Sequence, residues 1–256
     1  MPSSAAVVEI LKRADTFVSG EDIAGTLGVS RASVWKRIKG LRDMGFDITA
    51  STNLGYRLVS VPDVPSGEVL STMLNTTVIG KTIEYYPEIT STNDRAMMLG
   101  NSSAVSGTVI TADRQTAGKA RNGGTWSSPS GKNLYLSILL RPEVELARAA
   151  EVAELALKSL ELSVLGFFPD HIFVAKNYGL FVNEKKLGGI LCEVRGEIGN
   201  IYYMAVGAGL NVSHYESDSR AESLFSLTGK MLSRAELTVS FLENFEKLYL
   251  NWKDNE

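Results

Sequence analysis

The chain has 256 residues, of which 44% are hydrophobic and 21% charged, and this composition is that of an ordinary soluble globular protein. A single cysteine, Cys192, excludes a disulfide framework, and the 2 histidines lie far apart without neighbouring cysteines, so the sequence contains no metal-site pattern. No segment has the apolar run of a signal peptide or a membrane span. We therefore expect a cytoplasmic protein with no membrane partner.

The first 60 residues have the pattern of a winged helix-turn-helix, which predicts DNA binding. After a first amphipathic segment, Ser19 is a typical N-cap for a second helix that ends at Gly28. Ser30 then precedes RASVWKRIKGLRDMG, a third helix with a basic outer face, and FDITASTNLGYRLVS has the alternation and central turn of a hairpin, the wing. The alternative is a small helical domain whose basic face is only solvated.

The third helix and the wing supply the candidate DNA contacts. The side chains expected nearest the base edges are Arg31, Ser33 and Lys36. The side chains expected at phosphates are Lys39, Arg42, Asn53 and Arg57. We expect Trp35 to lie partly in the core of this segment rather than to read bases.

The segment SVPDVPSG contains two prolines and a glycine and marks a domain boundary, so we predict a head at 1–60, a linker at 61–67 and a body at 68–256. The body alternates strand-like and helix-like runs, which predicts an α+β fold with a mixed β-sheet and helices on one side. A glycine-rich segment, TADRQTAGKARNGGTWSSPSGKNLYLS, joins two of these strands. It is either a flexible surface loop or a loop that wraps an anion with backbone N–H groups, Lys119 and Arg121.

Part of this loop, AGKARNGGTWSSPSGKNLYLS, resembles the adenylate-binding loop of the biotin protein ligases, in which Gly-Arg-Gly-Arg-Arg-Gly precedes Trp and Ser-Pro. Further matches follow in the family's order, with Ser-Thr-Asn at 91–93, Leu-Gly-Gly-Ile-Leu at 187–191 and Gly-Ala-Gly-Leu-Asn at 207–211. The resemblance covers nearly the whole chain. Together with the winged head, it is closest to the bifunctional ligase-repressors of that family, whose body has a fold like that of class II synthetases.

The resemblance implies a site for each of two substrates. The biotin or acyl site would be formed by Ser91, Thr92, Asn93, Gln115, Gly118, Gly188 and Gly189. The nucleotide site would be formed by Lys119, Arg121, Trp126 and Asn211, with Arg121 catalytic because it holds the adenylate phosphate. In the family, the biotin carboxylate attacks the α-phosphate of ATP, which is bound with Mg²⁺, and a lysine of biotin carboxyl carrier protein then attacks biotinyl-AMP. Two anions must meet in the first step, so positioned cations are the main catalytic resource.

Three departures from the family pattern bear on activity. The lysine of the family's Lys-Trp-Pro-Asn-Asp run is replaced by Ala175, and Lys176, one residue later, points to the other face of a strand unless a bulge turns it. Loss of such a cation costs about 10²–10³ in rate. The loop at 119–124 also carries fewer cations than the family's loop. Finally, the sequence ends at NWKDNE, so we expect the family's small C-terminal β-barrel domain to be missing.

Three interpretations remain open. The first is a transcriptional repressor whose body senses biotin, biotinyl-AMP or a related carboxylic acid, with ligand binding favouring a DNA-competent homodimer. The second is an active bifunctional ligase-repressor, in which Lys176 or Lys119 replaces the lost lysine. The third is a protein that handles lipoate or octanoate, although the head and the Trp126 loop favour biotin. The sequence favours the first interpretation, because the DNA-binding module is complete whereas the catalytic set is not.

Overall fold

The computed structural model describes residues 4–14, 16–197, 199–213 and 220–254. The head has the predicted order of elements: α1 (Ser4–Ala14), α2 (Gly20–Leu27), α3 (Arg31–Asp43), β1 (Asp47–Ser51) and β2 (Gly55–Ser60). The Ser19 hydroxyl accepts a hydrogen bond from the Asp22 N–H at 3.0 Å, and Gly28 ends α2 in the left-handed conformation. The Ser30 hydroxyl accepts from the Ser33 N–H at 3.2 Å. The winged helix-turn-helix is therefore confirmed, with its local signals where the sequence placed them.

The body has helices and strands on each side of its glycine-rich loop. In chain order they are α4 (Gly67–Ser71), β3 (Ile83–Tyr86), α5 (Thr92–Gly100), β4 (Val109–Ala112), β5 (Leu134–Leu140), α6 (Ala149–Phe167), β6 (Val174–Lys176), β7 (Gly179–Val182), β8 (Lys185–Glu197), β9 (Asn200–Leu210), α7 (Leu224–Thr228) and α8 (Arg234–Asp254).

Seven of these strands form one sheet in the order β3-β4-β5-β9-β8-β7-β6. The β3–β4 pair is parallel and the other pairs are antiparallel, so the predicted mixed sheet is confirmed. Helices α6 and α8 cover one face, where Val109, Leu136 and Val206 lie in the main core. Helix α5 lies on the opposite face, where Ile110 and Ala205 pack against it. Only the two long helices therefore lie on one side of the sheet, as expected. Strands β4, β5 and β9 are apolar on both faces, so each face requires a covering helix.

Helix α8 also anchors the segment that precedes β3. The carboxylate of Glu246, which is buried, accepts hydrogen bonds from the N–H groups of Thr77, Val78 and Ile79 at 2.5, 2.7 and 2.7 Å. Burial alone would raise the pKa of the Glu246 carboxyl, but these N–H donors outweigh it and hold the pKa below its usual value. Within the described residues, no helix combines the length and apolar run that a membrane crossing requires.

We expect Glu246→Gln to lower the free energy of unfolding at pH 7 by about 1.5–3 kcal/mol, because the charged acceptor of three backbone N–H donors is lost. The folded-state pKa of Glu246 is depressed, so its contribution is complete above the unfolded value of about 4.3 and is lost as the pH falls through the folded value. Urea denaturation at pH 7 and in acid should therefore show a difference between the two proteins that shrinks on acidification. Glu243→Gln is the control, since among the described residues Glu243 accepts a single hydrogen bond, from the N–H of the exposed Asn75.

Candidate functional site

A cavity of ≈ 360 Å³ lies on the α5 face of the sheet, beneath the glycine-rich loop. Strands β8 and β9 form its floor, and the start of α5 and the β6–β7 turn form its sides. Eight residues predicted from the sequence line it: Ser91, Thr92, Asn93, Gln115, Lys119, Arg121, Trp126 and Gly189. The structure therefore brings together segments that are far apart in the chain, as the hydrogen bond between Asn93 and Glu193, 100 residues apart, illustrates.

The polar wall of the cavity is organised by Gln115. Its Oε1 accepts hydrogen bonds from the backbone N–H of Thr92 at 2.9 Å and from the Thr92 hydroxyl at 3.1 Å. Its Nε2 donates to the Ser128 hydroxyl at 2.9 Å. Ser91 caps α5 through the Asp94 N–H at 3.4 Å. The start of α5 is thus fixed to the loop at two points.

Asn93 is held by a buried network that includes a residue the sequence reasoning missed. The Asn93 Nδ2 donates to Glu193 at 2.8 Å and to the Leu191 carbonyl at 3.3 Å. The hydroxyl oxygen of Ser137 lies 2.6 Å from Asn93 Oδ1 and 2.8 Å from Thr92 Oγ1. Ser137 is fully buried, so its hydroxyl requires hydrogen-bond partners. In the sequence, the only indication of this role was a single hydroxyl residue inside the apolar strand LYLSILL.

Two glycines of β9 make the floor flat enough for this arrangement. Gly207 and Gly209 point to the same face, because side chains alternate along a strand. A Cβ at Gly207 would overlap Asn93 Oδ1, and a Cβ at Gly209 would lie 2.7 Å from the Trp126 ring. Gly118 supports the same tryptophan from the loop, since its own Cβ would lie 2.5 Å from the Trp126 carbonyl oxygen. Gly118 therefore contributes by close packing rather than by lining the cavity.

A second cavity, of ≈ 460 Å³, lies beside the first and shares Ala120, Trp126 and Lys186 with it. The Lys186 Nζ lies 5.3 Å from the centroid of the Trp126 ring, so these two side chains form the boundary between the cavities. Asn211 lies in the wall of the second cavity, where its Nδ2 donates to the Glu222 carbonyl at 3.0 Å. Burial, together with the charge of Arg121, lowers the pKa of the half-buried Lys186.

Of the two lysines that the sequence analysis considered as replacements, Lys119 lines the first cavity and Lys176 does not, and the structure adds Lys186. Ala175 packs against the main core, whereas Lys176 is exposed on the other face of the edge strand β6. The Lys176 Nζ lies 5.3 Å from the centroid of the Phe181 ring, and Lys176 lines neither cavity. The β6–β7 pairing contains no bulge. The bulge is instead in β8, where Leu187 is an extra residue between the partners of Phe181 and Leu180. It turns Lys186 onto the cavity face, whereas strict alternation would have pointed Lys186 into the core. Gly188, also predicted at the site, faces the core beside Leu160.

The glycine-rich loop is folded over the cavity by specific contacts. The backbone N–H of Trp126 donates to the Gly118 carbonyl at 2.8 Å, which closes the tip of the loop. Arg121 donates to the Asn177 carbonyl at 3.1 Å, and its guanidinium lies 4.4 Å from the centroid of the Tyr178 ring. These contacts pack the loop against the β6–β7 turn and hold Arg121 beside the cavity.

Lys119 is in a different electrostatic state from Lys186. Its Nζ contacts Asp94 and lies 3.3 Å from Glu193 Oε1. The hydrogen bond to Asp94 is the main reason that the pKa of Lys119 is raised. Across the described parts of the chain, no three His, Cys, Asp or Glu side chains group together as a metal site. Lys186 lines both cavities and Arg121 lines the first, so both cations lie where an anion between the cavities would be.

The predicted DNA face is separate from these cavities. Six of its seven residues are exposed, and Ser33 is half-buried at the start of α3. Trp35 is 55% exposed and lies 5.9 Å from Lys39 Nζ, so the expectation that it is partly core is wrong; the core stripe of α3 is Val34, Ile38 and Leu41. The Arg42 guanidinium donates to the Ile48 carbonyl at 2.9 Å and so links α3 to the wing.

Comparison with known proteins agrees with both parts of the structure. Residues 4–57 match the family described as HTH domain, and residues 85–211 match the biotin/lipoate A/B protein ligase family. The chain is 31% identical over 253 residues to the bifunctional ligase/repressor BirA of Bacillus subtilis strain 168, covering 96% of this chain and 78% of that relative. The chain belongs to the family of biotin protein ligases and ligase/repressors.

Two further relatives of the family set the extent of the similarity. BirA of Escherichia coli strain K12 is 34% identical over 199 residues, which cover 77% of this chain and 60% of that protein. The biotin protein ligase from Aquifex aeolicus, solved in complex with biotin and ATP, superposes with a TM-score of 0.59 at 28% identity over 69% of this chain and 73% of that one. This member of the family therefore combines a helix-turn-helix head with the ligase fold.

We expect Gly209→Ala to weaken nucleotide binding by about tenfold, which corresponds to about 1.4 kcal/mol. The added methyl group would push the Trp126 ring off β9 and disturb the boundary between the cavities. Isothermal titration calorimetry with ATP in the presence of biotin measures the effect. Gly166→Ala is the control, because no atom lies within 4 Å of its Cβ position in α6. Equal affinities for the two variants would contradict the role given to this close contact.

Proposed function

We propose that the chain is a biotin-responsive transcriptional repressor that also forms biotinyl-AMP. In this proposal residues 1–60 bind operator DNA, residues 61–67 are the linker and residues 68–256 bind biotin and ATP. The observation that carries it is the position of Lys186, a half-buried cation at the boundary between two adjoining cavities. A reaction between two anions needs a fixed positive charge at their meeting point.

The two cavities differ in a way that suits the two substrates. The first has apolar side chains such as Leu191 and Trp126 beside the Thr92–Asn93–Gln115 network, and this mixture suits a compact acyl ligand with a polar ring. The second contains Asn211 and opens beside Trp126, which offers a flat surface for an adenine base. Biotin in the first cavity and ATP in the second would bring the carboxylate and the α-phosphate together near Lys186 and Arg121. A Mg²⁺ ion would enter with the ATP phosphates.

In this arrangement each residue has a stated task. Lys186 and Arg121 would stabilise the charge that develops on the α-phosphate, while the start of α5 and Gln115 would orient biotin. The folded loop would keep water away from the mixed anhydride until a lysine of a carboxyl carrier protein attacks it. Strands β3 and β6 lie at the two ends of the sheet, so either could pair with a second copy to form the DNA-binding homodimer.

A second candidate function is a sensor that binds biotin without activating it. It is favoured by Lys119, whose charge is already neutralised by Asp94 and Glu193 and is therefore less available to the nucleotide. The two candidates differ only in whether adenylate forms, because both require a biotin-binding body and a DNA-binding head.

The test compares two lysines in the same segment. We expect Lys186→Met to lower the rate of biotinyl-AMP formation by about 10²–10³, as for the loss of other oxyanion donors, and Lys176→Met to leave it near the wild-type rate. The measurement is mass spectrometry of the adenylate after mixing with biotin and MgATP, with calorimetry to confirm biotin binding.

Three results would go against the proposal in different ways. Biotin binding without adenylate in the wild-type protein would leave the sensor as the function. A loss of rate in Lys176→Met with none in Lys186→Met would place the catalytic cation outside the cavity. No biotin binding at all would redirect the search to another carboxylic acid, such as lipoate or octanoate.

The lowered pKa of Lys186 predicts a pH dependence of adenylation. The charged form is lost as the pH rises through this pKa, so kcat/KM for ATP should fall on the alkaline side with a midpoint below the ordinary lysine value of about 10.4. Because arginine stays charged, Lys186→Arg should move the fall to higher pH. A profile that is unchanged by this substitution would mean that another group causes the fall.

A further inference from the structure

Arg234, the first residue of α8, joins two carboxylates that belong to different parts of the molecule. Its Nε lies 2.7 Å from Asp63 Oδ2 in the linker, and its Nη1 lies 2.6 Å from Asp113 Oδ1 in the body. The side chain is only 4% exposed, although it carries a charge. A guanidinium can hold two carboxylates in one plane with fixed directions, and leaving either one unpaired in a buried place is unfavourable.

Asp113 lies at the start of the glycine-rich loop and binds residues at its end. It directly follows β4, and its Oδ2 accepts a hydrogen bond from the Ser130 hydroxyl at 2.6 Å. Its carbonyl also accepts from the Gly131 N–H at 3.3 Å. Asp113 therefore connects the two ends of the loop that covers the cavities. Movement of the loop base would reach Arg234 directly.

The linker is attached to the same place. Asp63 Oδ1 accepts a hydrogen bond from the Arg234 backbone N–H at 2.7 Å, and the Pro62 carbonyl accepts from the Ser233 hydroxyl at 3.1 Å. The Pro65 carbonyl accepts from Thr111 in β4 at 2.7 Å. Beside the linker, a cavity of ≈ 530 Å³ is lined by residues of the head and of the start of α8. The head also packs against the body, because Val69, Leu70 and Ala235 belong to its hydrophobic cluster.

We propose that Arg234 is a positioning residue that couples closure of the glycine-rich loop to the linker of the DNA-binding head. This inference rests on the proposed function, because it needs a ligand that closes the loop. When ligand fixes the loop, Asp113 is fixed with it, and Arg234 transmits this constraint to Asp63. By reciprocity, the state of the head would change the affinity of the body for its ligand by the same factor.

The most informative variant is Asp63→Asn. Of the two carboxylates, Asp63 has the more exposed side chain, at 48%, and asparagine has the same shape, so the fold should survive the change. Substitution of Arg234 itself would instead leave the less exposed Asp113 without its cationic partner. Glu236→Gln is the matched control. Glu236 lies in the same first turn of α8 and also joins body to head, through Lys12 at 2.7 Å, but it has no contact with Asp113.

Hydrogen–deuterium exchange with mass spectrometry, on the full chain with and without biotin plus MgATP, tests the coupling without an operator sequence. In the wild-type protein and in Glu236→Gln, we expect the ligands to slow amide exchange in the loop at 113–131 and in the linker at 61–66. The slowing should be about fivefold or more, the lower end of typical site-to-site couplings. In Asp63→Asn, the loop should still respond and the linker should not.

Each contrary result has its own meaning. No response of the loop in the wild-type protein would overturn the proposed function and this inference with it. A loop response without a linker response in the wild-type protein would overturn only the inference. So would a linker response that survives in Asp63→Asn, or one that is lost equally in Glu236→Gln, because general docking of the head would then explain it.

Discussion

The site depends on how closely other segments approach the central strand β9. Gly207 and Gly209 leave two successive positions on one face of this strand without side chains, and Asn93 and the Trp126 ring occupy the space. One contact fixes α5 and the other fixes the glycine-rich loop, so both walls of the site are placed by the same strand. A side chain at either position would lift a wall by more than the packing of an interior tolerates. The motif Gly-Ala-Gly is therefore a packing constraint before it is a binding element.

The cations around the cavities illustrate how environment rather than residue type determines function. Lys119 and Lys186 both line the first cavity, yet their pKa values are shifted in opposite directions. Lys119 faces two carboxylates and its charge is satisfied within the protein, whereas Lys186 is half-buried beside another cation. The second lysine gains most from an arriving anion, because an anion would relieve both its desolvation and its repulsion from Arg121. This asymmetry is the electrostatic basis for assigning the reacting position to Lys186.

Helix α8 connects the parts of the molecule that have different tasks. Its middle packs in the main core through Phe241 and Phe245, and the Glu246 carboxylate accepts hydrogen bonds from the segment before β3. Its first turn contacts the linker and the head through Arg234 and Glu236. A rigid helix that is buried along most of its length can carry a constraint from one end of the body to the other without large movements. The head and the loop thereby share one support.

Local rules explain which parts of the architecture could be predicted. The caps Ser19 and Ser30 and the turn at Gly28 depend on residues a few positions away, so the winged head was predictable in detail. The glycine-rich loop could be placed because clear strand patterns bound it, and the Ser-Thr-Asn element could be placed because it resembles a motif of the biotin protein ligases. The sequence analysis did not predict that α5 lies on the second face of the sheet. The apolar pattern of strands that are buried on both faces does not indicate which helix covers which face.

The sequence by itself determined the order of the elements and the winged head, because caps and alternation act within a few residues. The resemblance of its short motifs to those of the biotin protein ligases identified eight of the residues that line the first cavity. Only the tertiary structure decided which lysine enters the site. The direction of Lys186 follows from the extra residue Leu187 in the pairing of β8 with β7, and a bulge is a property of two strands rather than of one. The exposure of Trp35, the partners of Ser137 and the ion pairs of Arg234 likewise depend on segments that meet only when the chain is folded.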